Sequence, residues 1–546
     1  MGFDALAADY QALQHELAPT RAHLTGEYRY AERFEAGSAD ADLAAARRLR
    51  ALCDRAEDEA AAGPARRLDL ALLRWDSTAR ARVLESGFGD IDVNPVFGPA
   101  AALPTTVAQL PIPGPEVAAA FVPKYEAIAR YFTDRARRHL DAAGRGLAAP
   151  ASAIHATART VEDWLALPLD DDPLLNLGST PPDVHRGNLL DELRTVIRDS
   201  VRSALSTYAG SLRETVGKVA RGDEECGLGG LPNGLELYQT LADEATATEL
   251  PVGRIHDLGL EQVAKLRAEY AELGAEVFGT RNVAEVLAIL RDDPKLHFTS
   301  ATEIVTAAEA ALERSLERVG DWFGVLPSAG CVVAPAHSGS LAYYFRPAKD
   351  GSRGGTFFVN VSDPAAWARY EIEALAFHEA VPGHHLQIAR AAELTDVQEF
   401  RRTSYVPAYC EGWGLYAERL ADEMGLYSTP LDRFGMLSFD SLRACRLVVD
   451  TGLHALGWSK QRAIDYMLAN SPMSAGHVTA EVTRYVSTPG QALAYMTGRL
   501  ELMRLRDETK QRLGDRFRLS AFHDVVLEAG QVPLGPLADY VAARLT

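Results

Sequence analysis

The stretch His378-Glu379-Ala380-Val381-Pro382-Gly383-His384-His385 places three imidazoles and a carboxylate within eight residues. A helical protein has little structural reason to build that density. As chemistry it is a donor set for a divalent metal, zinc first among them. In the H-E-x-x-H signature, two His at i and i+4 share a helix face and the Glu polarises a metal-held water. Here position i+4 is Pro382, so the signature fails as written. Along an ideal helix, with its rise of about 1.5 Å per residue, His384 and His385 lie roughly 9 to 10.5 Å from His378. Two Zn–N bonds of about 2.0–2.1 Å cannot close that gap. The helix must therefore break, and Pro382, which has no N–H for the carbonyl of residue 378, and Gly383, which relaxes the backbone, supply the break. The expectation is a bulge that folds His384 or His385 back towards His378. The plain alternative is a helix stop with solvated histidines.

A catalytic zinc takes three protein ligands and keeps one position open, and a Glu from a separate helix is a common third ligand. Ala408-Tyr-Cys-Glu-Gly-Trp-Gly-Leu-Tyr-Ala-Glu offers Glu411, with glycines and a tryptophan beside it that permit close packing. An acid on a helix is far more often simply solvated. Further on, Arg446, Asp450 and His454 recur at i+4, a row that either braces the core or lets Asp450 orient His454 for proton transfer or oxyanion stabilisation. Then Arg484-Tyr485-Val-Ser-Thr-Pro-Gly-Gln491-Ala-Leu-Ala-Tyr495 brings a guanidinium, phenols and an amide close to a helix start. Such groups bind carboxylates or steady a developing oxyanion, although buried tyrosines that tie helices together are commoner.

The elements that must position these groups are mostly helical. Apolar residues recur at three and four over Leu43–Leu52, Leu68–Trp75 and Leu189–Val219, and further helices are expected over 116–143, 154–165, 235–246, 259–278, 283–292 and 300–318. Ser300-Ala-Thr-Glu303 has the spacing of a capping box. Asn94–Pro115, with six prolines, reads as a wandering connection, and Gly222–Gly234, with five glycines, as a break. The one strand-like region, a β-ribbon over 331–360, comes just before the His cluster and carries Tyr343 and Tyr344 as substrate contacts. A strand edge beside a metal can hold a peptide by main-chain pairing. A ribbon that only caps the core is the bland counterpart. The division expected is an N-terminal helical region over 1–220 and a catalytic region over 221–546.

Composition bounds the rest. The chain has 546 residues, 47% of them hydrophobic and 24% charged, ordinary globular values. The formal charge of −19 disfavours nucleic acid and anionic membranes as partners. No basic and apolar leader opens the chain and no window is apolar enough to span a bilayer, so a cytoplasmic location is expected. Five scattered cysteines without C-x-x-C spacing predict neither a disulfide framework nor a thiolate zinc knuckle.

Four motifs in order, His378-Glu-Ala-Val-Pro-Gly-His-His-Leu-Gln, Glu411-Gly-Trp-Gly-Leu-Tyr-Ala-Glu, Arg446-Leu-Val-Val-Asp-Thr-Gly-Leu-His and Pro489-Gly-Gln-Ala-Leu-Ala-Tyr, resemble the bacterial family catalogued as domain of unknown function 885. That family is itself similar to helical zinc peptidases such as thimet oligopeptidase and carboxypeptidase Taq. The likeness implies His378 as first ligand, Glu379 as general base and Glu411 as third ligand. It leaves the second open: the Gly-His pairing favours His384, helical phase His385. The reading is a mainly α protein with a deep cleft, a β-ribbon on one wall and zinc at its floor, hydrolysing short peptides. Tyr485, Tyr495 or His454 would serve the oxyanion, and Arg484 and Gln491 the substrate. Its rivals are a hydrolase of a non-peptide amide or ester, and a helical binding protein whose His cluster is structural.

Overall fold

The computed structural model describes residues 2–59, 63–337, 341–348, 351, 353–395 and 397–546. Helix makes up 71% of the chain and the sheet has only three strands, so the fold is mainly α. The chain divides into two compact units, neither continuous in sequence. The first comprises 1–59, 76–240 and 483–488; the second comprises 60–75, 241–482 and 489–546.

In the first unit, the helices Phe121–Gly144 and Ala151–Ala166 both pack against Arg202–Glu214. Phe121, Ile128, Phe132, Ile154, Val161, Leu205 and Leu212 are fully buried between them. The periodic stretch expected as one helix over 189–219 is α-helical over Arg186–Val196, passes through a π turn at Ile197–Val201 and continues to Glu214. The connection expected over 94–115 contains the helix Pro99–Gln109. Prolines do not exclude a helix there, because Pro99 opens it, at the one turn where its missing N–H costs nothing.

The second unit is organised by two helix pairs that glycines bring close. Val252–Val277 runs along Arg433–Ala455, and a Cβ on Gly259 would come within 2.7 Å of Val448 Cγ2. Pro407–Glu423 packs on Ala494–Leu513, where a Cβ on Gly412 would lie 2.5 Å from the Gly498 carbonyl carbon, and one on Gly498 still closer to Ala408 O. The helix Ala301–Arg318 begins as its sequence predicts: Ser300 Oγ accepts from Glu303 N at 3.3 Å. The Glu303 carboxylate accepts from Thr299 N, not from the cap residue itself.

The strands β1 (Cys331–Ala336), β2 (Ala342–Phe345) and β3 (Gly355–Asn360) form a sheet in the order β1-β3-β2. β1 is parallel and β2 antiparallel to β3, so β2 is an edge strand. Residues 338–340, 349, 350 and 352 of the expected ribbon lie outside the described residues. β3 buries Phe357 and Val359 completely, and the sheet packs on the helices that carry the histidines. Among the described residues no helix is long and apolar enough to cross a membrane.

Candidate metal centre

The helix Ile372–Glu379 ends directly after His378, and a new helix, His384–Ala392, begins at His384. Between them Ala380-Val381-Pro382-Gly383 turns the chain sharply, with a cis Val381–Pro382 bond. Ser315 Oγ donates to Val381 O at 2.7 Å and Trp413 Nε1 to Pro382 O at 2.9 Å, so two neighbouring helices hold the turn. Gly383 lies so close to the end of the first helix that a Cβ there would meet the carbonyl oxygens of both His378 and Phe377. Glycine alone fits, and this close seat brings the first residue of the second helix back beside the last turn of the first.

The consequence is that His378, His384 and Glu411 converge, each offering a donor atom within 4.8 Å of the others. Glu411 Oε2 lies 3.8 Å from His378 Nε2 and 3.6 Å from His384 Nε2, and the two imidazoles meet edge to face at 4.7 Å. Glu411 comes from the helix Pro407–Glu423, which can approach only because residue 414 is glycine: a Cβ there would stand 2.5 Å from His378 Cε1.

Each of the three has a second partner that fixes its orientation. His378 Nδ1 donates to the fully buried Glu418 Oε1 at 2.8 Å, which turns its Nε2 towards Glu411. His384 Nδ1 lies 3.8 Å from Cys410 Sγ, whose thiol donates to Gln387 Oε1 at 3.6 Å. Glu411 Oε1 accepts from Tyr405 OH at 2.9 Å. Carboxylate partners of this kind fix the tautomer and basicity of a ligating histidine. The electrostatics agree with the geometry. Burial lowers the pKa of both imidazoles, yet Glu411 and Glu418 beside His378, and Cys410 and Glu411 beside His384, raise both above the ordinary histidine range. Burial pushes Glu411 up, and the two imidazoles more than reverse it, holding the carboxyl well below the usual range. A place that draws in positive charge this way suits a cation as well as a proton.

The donor set fits zinc. Bonds of about 2.0–2.1 Å in a tetrahedron set neighbouring donors about 3.3 Å apart. The two imidazole–carboxylate distances of 3.6 and 3.8 Å need only a small contraction to reach that. Glu379, next to His378, is buried, and its carboxylate makes no hydrogen bond among the described residues. It lies near enough to Cys410 to add, after burial and Glu411, to the raised pKa of that thiol.

His385 is the correction. Its Nε2 donates to Ala329 O at 3.0 Å and its Nδ1 accepts from Tyr344 OH at 3.0 Å, so both ring nitrogens are engaged with the sheet side and neither joins the cluster. Burial pushes its pKa down to about 4. Helical phase favoured His385 only on the premise that one helix continued; the second helix starts afresh at His384.

The remaining expected residues are placed as follows. Tyr344 is the phenol that holds His385, while Tyr343 points to the opposite face of the sheet and stacks on Phe358 at 4.9 Å. Tyr495 is half-buried beneath the Arg446 guanidinium, 4.5 Å from its ring centre, and is close enough to Tyr405 to influence it electrostatically. Arg446 itself pairs with Glu481 at 2.7 Å. Asp450 Oδ1 accepts from Gly490 N at 3.0 Å and so anchors the turn that leads into Gln491, which is half-buried. His454 is fully buried near the end of its helix and is not one of the three converging groups. Arg484 and Tyr485 belong to the first unit, where the guanidinium lies 4.9 Å over the ring of the fully buried tyrosine.

Sequence reasoning missed Glu418, Cys410, Gln387 and Tyr405 as partners of the cluster. Glu418 had a signal, since it follows Glu411 by two turns on the same helix face; Tyr405 precedes its helix, where no periodicity applies.

The chain belongs to the family of bacterial proteins of unknown function known as DUF885, which matches residues 19–541. Two solved structures share its fold. A candidate lipoprotein from Colwellia psychrerythraea, known from a crystal structure, is 24% identical with a TM-score of 0.90, and the match covers 99% of this chain and 98% of that one. A candidate lipoprotein of unknown function from Shewanella oneidensis is 16% identical with a TM-score of 0.78, covering 99% and 100%. At these identities the likeness establishes fold alone. No curated protein matches the chain.

Proposed function

We propose that this protein is a zinc-dependent hydrolase that cleaves short peptides. The observation that carries the reading is the convergence of His378, His384 and Glu411 beside a buried, unbonded Glu379 carboxylate. These three groups would hold the metal, which supplies Lewis acidity and lowers the pKa of water at its open position. Glu379 accepts the proton of the attacking water and passes it to the leaving amine. Tyr495, held under Arg446 and close to Tyr405, which bonds Glu411, serves as the oxyanion donor. The edge of β2, which has no strand partner on its outer side among the described residues and packs beside the helix of His378, offers main-chain groups to an extended peptide. The likeness of the motifs to helical zinc peptidases supports the same reading.

Replacing Glu379 by Gln tests the mechanism. Size and metal ligation are kept and the base is removed, so zinc content and melting temperature stay near wild type while peptide turnover falls by about 100-fold or more. Turnover close to wild type would exclude Glu379 as the base. Screening dipeptides against acyl amides and esters separates peptide hydrolysis from its non-peptide rival. A cytoplasmic location stands against the lipoprotein description of both structural relatives, and fractionation of the source cells decides between them.

A further inference from the structure

Glu411 offers two oxygens, and the structure treats them differently. Oε2 faces both imidazoles, at 3.6 and 3.8 Å, while Oε1 accepts from Tyr405 OH at 2.9 Å. We propose that Tyr405 is a positioning residue that confines Glu411 to one-oxygen ligation and so keeps a position open for water. This rests on the zinc reading above and deepens it.

The physical case has three parts. A carboxylate free at both oxygens can turn to present both to a cation, and chelation of that kind occupies the position that a catalytic site reserves for water. A phenol hydrogen bond to one oxygen opposes that turn, because chelation would sacrifice a charge-assisted bond. The phenol is itself anchored. Ser404 Oγ donates to Gln531 O at 3.1 Å and Val406 N donates to Gln531 Oε1 at 3.2 Å, so one buried glutamine holds the residues on both sides of Tyr405. Pro407 follows at once and holds Val406 extended. The tyrosine ring is 47% exposed, so loss of its hydroxyl leaves no hole in the core. Neither His378 nor His384 has a comparable partner at the open side: Glu418 and Cys410 are both buried.

Tyr405→Phe removes the hydroxyl alone. Zinc affinity, measured by competition with a chelator, is expected to fall about 10- to 100-fold, the scale seen when an outer-shell partner is lost. The visible absorption spectrum of the cobalt-loaded protein is expected to change as the coordination changes, and the metal-free protein to melt at the wild-type temperature. Two results would overturn the proposal: wild-type zinc affinity with an unaltered cobalt spectrum in Tyr405→Phe, or an affinity loss accompanied by an equal destabilisation of the metal-free protein, which would assign Tyr405 to folding. A wild-type protein that binds neither zinc nor cobalt fails at an earlier step and overturns the zinc reading with it.

Discussion

The helix Pro407–Glu423 contributes to two charged clusters, and they use their charge differently. Towards its end, Arg419 bonds Asp440 and reaches Glu269 at 2.6 Å, and Asp440 also accepts from Arg499 Nη1 at 2.8 Å. Two guanidiniums meet two carboxylates, and the charges cancel. In the other cluster, Glu411 and Glu418 meet two imidazoles and one guanidinium, Arg443, at 3.9 Å from Glu418. Asp440 in one cluster and Glu418 in the other are both fully buried, so burial alone does not mark a site. The difference is direction: the first set satisfies itself and braces four helices, whereas the second aims donors from two histidines and a carboxylate at one point.

The sharpest way to break this comparison is to remove a donor from each side. His378→Ala or Glu411→Gln should take zinc from about one per chain to none and abolish any rise in melting temperature on adding zinc, a rise worth about 4 kcal/mol when free metal is 1,000 times its Kd. Elemental analysis and calorimetry read both. Asp440→Ala should do the reverse. It strands the buried Arg499 guanidinium, while Arg419 keeps Glu269, and destabilises the fold by about 3–5 kcal/mol in urea unfolding with zinc stoichiometry unchanged. Loss of zinc from the Asp440 variant would mean that the two clusters are one.

A finer cut lies in the glycines. Gly414→Ala drives a methyl group to within 2.5 Å of the His378 ring, which must move. Zinc affinity should fall about 10- to 100-fold, with helix content by circular dichroism unchanged. Unaltered affinity would show that the close approach serves packing alone.

The same contrast explains what could be read in advance. Helices whose apolar residues recur regularly are legible, down to the Ser300 cap and the bounds of Val283–Asp292. The helix break after His378 is legible because Pro382 and Gly383 are local signals. Which histidine follows is not, because the seat of Gly383 against the carbonyls of Phe377 and His378 decides it, and that is a contact in space. Pro99–Gln109 is hidden because a proline that opens a helix looks the same in sequence as one that ends it. Glu418 and Arg419 are adjacent charged residues on one helix, and nothing in their types announces that one backs a histidine while the other closes an ion-pair network.

The smallest effect is expected at His385, and it separates the two adjacent histidines. His385→Phe should leave zinc binding intact, because both ring nitrogens are spent on Ala329 and Tyr344. At pH 7 it should cost about 1–2 kcal/mol for the two hydrogen bonds. The pH dependence carries more information. Burial lowers the folded pKa of this imidazole to about 4, and the Ala329 carbonyl and Glu393 only partly oppose the fall. An unfolded histidine titrates near 6.5. Above that value both states are neutral and the group adds no pH dependence. As the pH falls from about 6.5 to about 4 the unfolded chain gains a proton that the folded chain refuses, so stability is lost progressively across that window, by an amount on the order of 3 kcal/mol, and levels off below it. The variant lacks this loss. The stability difference between wild type and His385→Phe, measured by urea unfolding, should therefore shrink from pH 7 to pH 4.5 and can change sign. A gap that stays constant across the window would mean that His385 is not held neutral against the sheet, and loss of zinc from the variant would return it to the cluster in place of His384.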